Sequence, residues 1–310
     1  MPSTLTRRLR GVAPPLAALA LCACVTLTES PRGVSPSGDG TLRVSPIGCS
    51  AAIGERRRPG ERAGGASRDD TGRVPDVASA SGLDPDSLRL LTWNLHKQGD
   101  VGWDRDLARF LRDADVALLQ EAVLRDDLRA LLDARGLRYT MASSFIYRDV
   151  DHGVVTAATV PPLATCAERA VEPLLRIPKS GLIAWYALKG RVETLAVVNV
   201  HAINFSLAQR AYEAQFAALV RPLAAHRGPI VFAGDFNTWS EGRRAAVRAA
   251  ALTLGLTEIS FEPDLRARFL GQQVDHVMVR GVALLAAAAF EVKSSDHNPV
   301  LVTLRVDAAH

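Results

Sequence analysis

From residue 88 onward the chain is built of short apolar runs, and run after run ends in a single polar side chain. The stretch RLLTWN at 89–94 closes on Asn94, VALLQ at 116–120 leads into Glu121, LAVVNV at 195–200 leads into His201, and PIVFAG at 229–234 leads into Asp235. Runs of this length, rich in branched residues and bounded by turn signals, are the pattern of buried β-strands. Near the C-terminus the order reverses: Asp275 and His276 precede VMV, and Asp296, His297 and Asn298 precede PVLV. If the last strands run antiparallel to the earlier ones, all these groups meet at one rim of the sheets, where binding sites form.

Between the strands lie segments with helical spacing. They are 103–112 (Leu107, Phe110, Leu111), 124–135 closed by Gly136, a helix behind Ser206 as N-cap that carries Tyr212, Phe216, Leu219 and Leu223, and 240–254. Further strands are expected at 153–159, 181–188, 193–200, 229–233, 274–279, 284–292 and 299–304. The mixture predicts an α/β fold of packed layers, two central sheets with helices outside.

The first 86 residues are of another kind. Residues 28–86 are rich in Gly, Pro, Ser and Arg with almost no aliphatic run, so 25–86 is expected to be a flexible low-complexity arm ahead of a folded domain at 87–306. Arg7, Arg8 and Arg10 precede an apolar stretch at 12–27 that is short for a membrane span, a secretory-signal pattern that predicts export. It runs through Leu21-Cys22-Ala23-Cys24, which resembles a lipoprotein box with Cys24 as the lipidated residue. A periplasmic protein and a lipoprotein anchored to the membrane through Cys24 both follow, and an upstream mis-called start would leave the protein cytoplasmic. Of the remaining cysteines, Cys49 falls in the arm and Cys166 in the domain. A flexible arm is a poor disulfide partner, so Cys166 reads as a small buried apolar residue.

Charge does not name a partner. The net charge is +4, but Arg7, Arg8 and Arg10 belong to the removable leader, and the mature chain is close to neutral. No C-x-x-C pair, H-E-x-x-H, G-x-S-x-G or P-loop occurs, which argues against thiolate zinc sites, zincin and serine hydrolases and nucleotide switches.

The rim residues suit metal-assisted hydrolysis of a phosphate ester. Glu121, Asp296 and Asn94 are hard oxygen ligands suited to Mg²⁺, with Mn²⁺ or Ca²⁺ as alternatives. Asp235 is placed to activate water, Asn237 and His201 to hold the phosphate, and His297, oriented by Asp275, to act as acid or base. Taken singly, each is an ordinary turn residue or a satisfied histidine; six such placements compatible with one rim are not.

These residues also carry a family resemblance. Thr92-Trp93-Asn94-Leu95, Leu119-Gln120-Glu121, Asn199-Val200-His201, Gly234-Asp235-Phe236-Asn237, Val274-Asp275-His276-Val277 and Ser295-Asp296-His297-Asn298-Pro299 resemble, in order, the signature blocks of the endonuclease/exonuclease/phosphatase superfamily. Leu175-Arg176-Ile177-Pro178-Lys179-Ser180, His201-Ala202-Ile203-Asn204-Phe205-Ser206 and GDFNTWS at 234–240 are similar to its bacterial YafD-like branch. The resemblance implies a four-layer α/β sandwich of the DNase I-like kind. It implies metal binding at Glu121, Asn94 and Asp296, water activation by Asp235, phosphate contact by Asn237, and His297 oriented by Asp275. His201 stands where abasic-site enzymes have a Tyr, which argues against abasic-site repair. The short domain and the apolar stretch after Gly153 imply few substrate-gripping insertions.

The expectation is a monomeric, exported, Mg²⁺-dependent phosphodiesterase acting on nucleic acid, with nuclease action first. A phospholipid headgroup or sugar phosphate as substrate, or a binding module that has lost catalysis, are the alternatives.

Overall fold

The computed structural model describes residues 25–26, 31–38, 41–49, 82–173, 176–204 and 209–308. The signal segment 1–24 with Cys24, Leu175, and the N-cap Ser206 lie outside the described residues.

Two mixed sheets form the centre. The first runs, in spatial order, Val282–Ala289, Val300–Val306, Leu88–Asn94, Val116–Val123, Val150–Ala158, Arg138–Tyr147, Arg32–Pro36 and Leu42–Pro46, with Val25–Thr26 also paired to Arg138–Tyr147. The second runs Thr257–Glu258, Asp275–Arg280, Ile230–Asp235, Thr194–His201, Pro178–Ala187 and Ala164–Val171. The strands that carry Asn94 and Glu121 are parallel, as are those that end in His201 and Asp235. The strand opened by Asp275 runs antiparallel to the Asp235 strand, and Val300–Val306 runs antiparallel to the Asn94 strand. The pairings His201↔Asp235 and Asp235↔Asp275 therefore bring the expected groups to one rim.

The layers follow from strands that are apolar on both faces. Leu88, Leu90 and Leu118 point between the sheets, against Tyr186, Val197 and Val231. Leu91, Trp93 and Leu119 point outward under helices Trp103–Phe110 and Asp126–Ala134. On the other side Val198 and Phe232 lie under Gln209–Val220 and Glu241–Leu254. This is the four-layer α/β sandwich. Ser240 caps the last helix by accepting a hydrogen bond from Arg243 N at 3.4 Å, and Gly255, at φ 66°, ends it.

A cluster of buried polar contacts crosses the apolar gap between the sheets. Gln120 Nε2 donates to Asn199 Oδ1 at 2.7 Å and to Thr92 Oγ1 at 3.1 Å, and Asn199 Nδ2 donates to Val155 O at 2.9 Å. Both amides are fully buried, one residue before Glu121 and two before His201.

Part of the stretch at 25–86 expected to be a flexible arm is structured. Residues 32–36 and 42–46 form a hairpin that extends the first sheet, with Val34 opposite Met141. Leu83 is buried and bonds to the backbone at Ala187 and Lys189, so the domain begins before residue 87. Cys49 and Cys166 form a disulfide, contrary to the expectation of an unpaired buried thiol. The reason is the hairpin: it brings Gly48 beside Ala167, and Ile47 O accepts from Ala167 N, so Cys49 sits on the outer strand of the second sheet. Strands Arg138–Tyr147 and Ala164–Val171 were also not anticipated.

The bridge closes a separation of 117 residues, and a closure of that length removes much chain entropy from the unfolded state. Reducing it, or making Cys49→Ser with Cys166→Ser, is expected to lower unfolding stability by about 2–5 kcal/mol. Denaturant titration with and without reductant measures this, and coincident midpoints would refute it.

Candidate active site

The rim opens into a cavity of about 430 Å³ whose lining includes Asn94, Glu121, His201, Asp235, Asn237, Asp296 and His297. Seven of the eight residues expected from sequence therefore line one space. Asp275 stands behind it, buried, and touches the site through His297.

Asp235 is the centre of the arrangement. Its Oδ1 accepts from Asn237 N at 3.0 Å and its Oδ2 from Asn94 Nδ2 at 3.0 Å. The tight turn that follows puts Asn237 in the left-handed region at φ 51°, and Asn tolerates this better than most residues. Asn237 Nδ2 donates to Ala202 O at 3.1 Å, which fixes its side chain against the His201 strand. Burial pushes the Asp235 carboxyl up to about 6, against the opposing pull of His297.

His297 is gripped from behind. Its Nδ1 donates to both Asp275 oxygens, at 3.0 and 2.8 Å, leaving Nε2 to face Asp235 Oδ2 at 3.9 Å. Burial acts to discharge the imidazole, but Asp275 and Asp235 outweigh it and raise its pKa to about 10. Trp93 Nε1 donates to His297 O at 2.9 Å, and Ser295 Oγ bonds both Asn94 O and His297 N. The two ends of the site, 204 residues apart in sequence, are thereby fastened together.

Glu121 sits at a bulge between Leu119 and Ala122, with φ 46°. The bulge turns its carboxylate into the cavity. Lys97 Nζ lies 2.6 Å from its Oε2, and Lys179 Nζ 3.2 Å from its Oε1. Burial alone would raise this carboxyl; the Lys179 and Lys97 ammonium groups beside it outweigh that and hold it well below the usual carboxylate range. Lys179 Nζ is also 2.9 Å from His201 Nε2. An ammonium has no acceptor, so His201 Nε2 accepts and its ring is neutral here. Burial, then Lys179, pushes its pKa far below 6.5, so the cation of this wall is Lys179.

Glu121, Asp296 and the Asn94 amide oxygen ring the same cavity and match the chemistry of a hard divalent cation. Asp296 is the outlying member, with a side chain 59% exposed and its Oδ1 3.9 Å from His96 Nδ1. Among the described residues no three His, Cys, Asp or Glu side chains are already gathered around a metal position. His276 faces away from the cavity, between Thr238 and Glu258.

Sequence reasoning missed His96 and Lys97 and gave Lys179 no role. The backbone that turns the first two into the cavity is left-handed without glycine, so no turn residue signalled it. Phe145 and His152, stacked at 4.9 Å on the cavity wall, were missed with the strand that carries Phe145.

A buried carboxylate able to take a proton from water, a protonated imidazole facing it and a ring of hard oxygen donors are the equipment of a phosphoric ester hydrolase. Residues 91–297 match the model of the Endonuclease/Exonuclease/phosphatase family, and the chain belongs to that family. A UPF0294 protein of Vibrio parahaemolyticus is 40% identical over 237 residues, 76% of this chain and 84% of that protein. One from Yersinia enterocolitica is 40% identical over 216 residues, covering 69% and 82%. Among solved structures, an endonuclease/exonuclease/phosphatase from Bacteroides vulgatus superposes with TM-score 0.56 at 17% identity, covering 71% of this chain and 99% of that one. The human Nocturnin catalytic domain, with bound sulfate, gives 0.55 at 18% identity, covering 73% and 96%. These structures share the fold.

The His297–Asp275 pair has a direct readout. An NMR titration is expected to place the His297 imidazole near pH 10 in the native protein. In Asp275→Asn the titration moves to lower pH, because the charge that favours the protonated ring is gone. A titration unmoved by that substitution would contradict the assignment.

Proposed function

We propose that this protein is an exported phosphodiesterase that depends on a divalent cation, Mg²⁺ first. The observation that carries the reading is Asp235: a buried carboxylate, aimed by Asn94 and by the Asn237 backbone, opposite an imidazolium backed by Asp275. Asp235 Oδ2 takes a proton from the attacking water, and its raised pKa of about 6 makes it a competent base near neutrality. His297, protonated, presents Nε2–H to the phosphoryl group and gives that proton to the leaving oxygen as the P–O ester bond breaks. Asn237 and the His201 wall flank the phosphate. Glu121, Asn94 and Asp296 would hold the cation, which supplies charge neutralisation at the phosphate and the leaving oxygen.

Export is supported by the basic-then-apolar leader at 7–27 and by the Cys49–Cys166 bridge, since such bonds persist in oxidising compartments. The lipoprotein-like box supports attachment to a membrane through Cys24. Nucleic acid and phospholipid headgroups both fit that setting, as does a protein working as a monomer.

The purified protein is expected to hydrolyse at least one member of a panel of DNA, RNA, phospholipid and bis(p-nitrophenyl) phosphate with Mg²⁺, and to stop in EDTA. Asp235→Ala and His297→Ala are each expected to lower kcat by about 10²–10⁴-fold, the usual worth of a positioned acid or base. Silence across the whole panel with Mg²⁺, Mn²⁺ and Ca²⁺ would sink the proposal.

A further inference from the structure

Three consecutive residues with side chains, His96, Lys97 and Gln98, have left-handed backbone, at φ 45°, 58° and 54°. L-residues adopt this conformation singly, and a run of three without glycine persists only where the surroundings enforce it. The enforcement is visible. Gln98 is buried and pairs its amide with the backbone of Val123 like a piece of strand: Nε2 donates to Val123 O at 2.9 Å and Oε1 accepts from Val123 N at 2.8 Å. At the other end of the turn His96 N donates to Asn94 Oδ1 at 3.0 Å.

What this turn delivers is Lys97. Its side chain is 57% exposed and packs no core, yet its ammonium is brought over the cavity to Glu121. Lys179 reaches the same carboxylate from the opposite sheet. Two ammonium groups thus converge on one carboxylate, which cannot neutralise both, beside the Asp235–His297 pair in the cavity. A lysine is a point-charge ligand for phosphate oxygens, and a turn needed only for chain reversal would not require one here.

We propose that the 96–98 turn is a phosphate-holding element: Lys97 binds a non-bridging oxygen of the substrate phosphoryl group, Lys179 closes on it from the other sheet, and Gln98 positions Lys97. The proposal rests on the reading of the site as a phosphoester site, and its test is separable from that reading because it needs no turnover. Inorganic phosphate is titrated against the full chain in EDTA by calorimetry. Lys97→Met and Lys179→Met are each expected to weaken phosphate binding roughly tenfold or more, the loss of one charge-assisted hydrogen bond. Lys97→Arg should recover most of it.

Gln98→Ala should weaken phosphate binding as Lys97→Met does and add nothing on top of Lys97→Met, since it acts only through that lysine. Full additivity would reduce Gln98 to a purely structural part and remove it from the proposal. If native protein binds no phosphate, or Lys97→Met binds it as native protein does, the proposal falls even if the enzyme hydrolyses phosphodiesters. If phosphate binding depends on Lys97 while no phosphoester is cleaved, the phosphate-holding turn stands and the catalytic reading fails.

Discussion

The site rests on buried polar contacts between the two sheets, above all the hydrogen bond from Gln120 to Asn199. Apolar packing between two sheets is non-directional: it holds them together without setting how far one slides along the other. A hydrogen bond between two fully buried amides does set it, because a slip of one residue would leave polar groups unpaired in the core. Glu121 comes from one sheet, and His201 and Asp235 from the other. The 3.6 Å between Glu121 Oε1 and His201 Nε2 is a distance across that junction, and the 3.5 Å between His201 Nε2 and Asp235 Oδ2 is set within the second sheet. The fastening of Trp93 and Ser295 to the last loop does the same for His297.

Within that frame the electrostatics divide the labour. Burial raises the Asp235 carboxyl and makes it a base, while the same depth fails to discharge His297 because Asp275 stands against it. The second wall is set differently: burial and Lys179 keep His201 neutral, so charge there is carried by lysines converging on Glu121. Two histidines in one cavity thus end in opposite protonation states, one with a carboxylate behind it and the other with an ammonium in front.

Much of this was legible in the sequence. Apolar runs that end in Asn94, Glu121, His201 and Asp235 identify both the strands and the rim, because a strand buried on both faces has no other place for a polar side chain. The reversed order at Asp275 and Asp296–Asn298 discloses the antiparallel return. What escaped notice lacks such a signature. The hairpin at 32–46 buries Gly33 and Val34 but few other side chains and is embedded among Gly, Pro, Ser and Arg, so composition hides it. Its pairing with Arg138–Tyr147, and the Cys49–Cys166 bond that depends on it, are long-range facts that no local pattern encodes. Lys97 escaped for another reason: a left-handed turn is normally advertised by glycine or asparagine, and here a buried glutamine enforces it instead.

The Cys49–Cys166 bond also ties the fold to chemistry outside the molecule. It joins the hairpin at the far edge of the first sheet to the outer strand of the second, on the flank where Arg32 meets Asp151, the neighbour of the cavity residue His152. A chain held in a reducing environment lacks that staple, and the flank must then close on packing and hydrogen bonds alone. The ambient redox potential thus sets part of the stability of that flank.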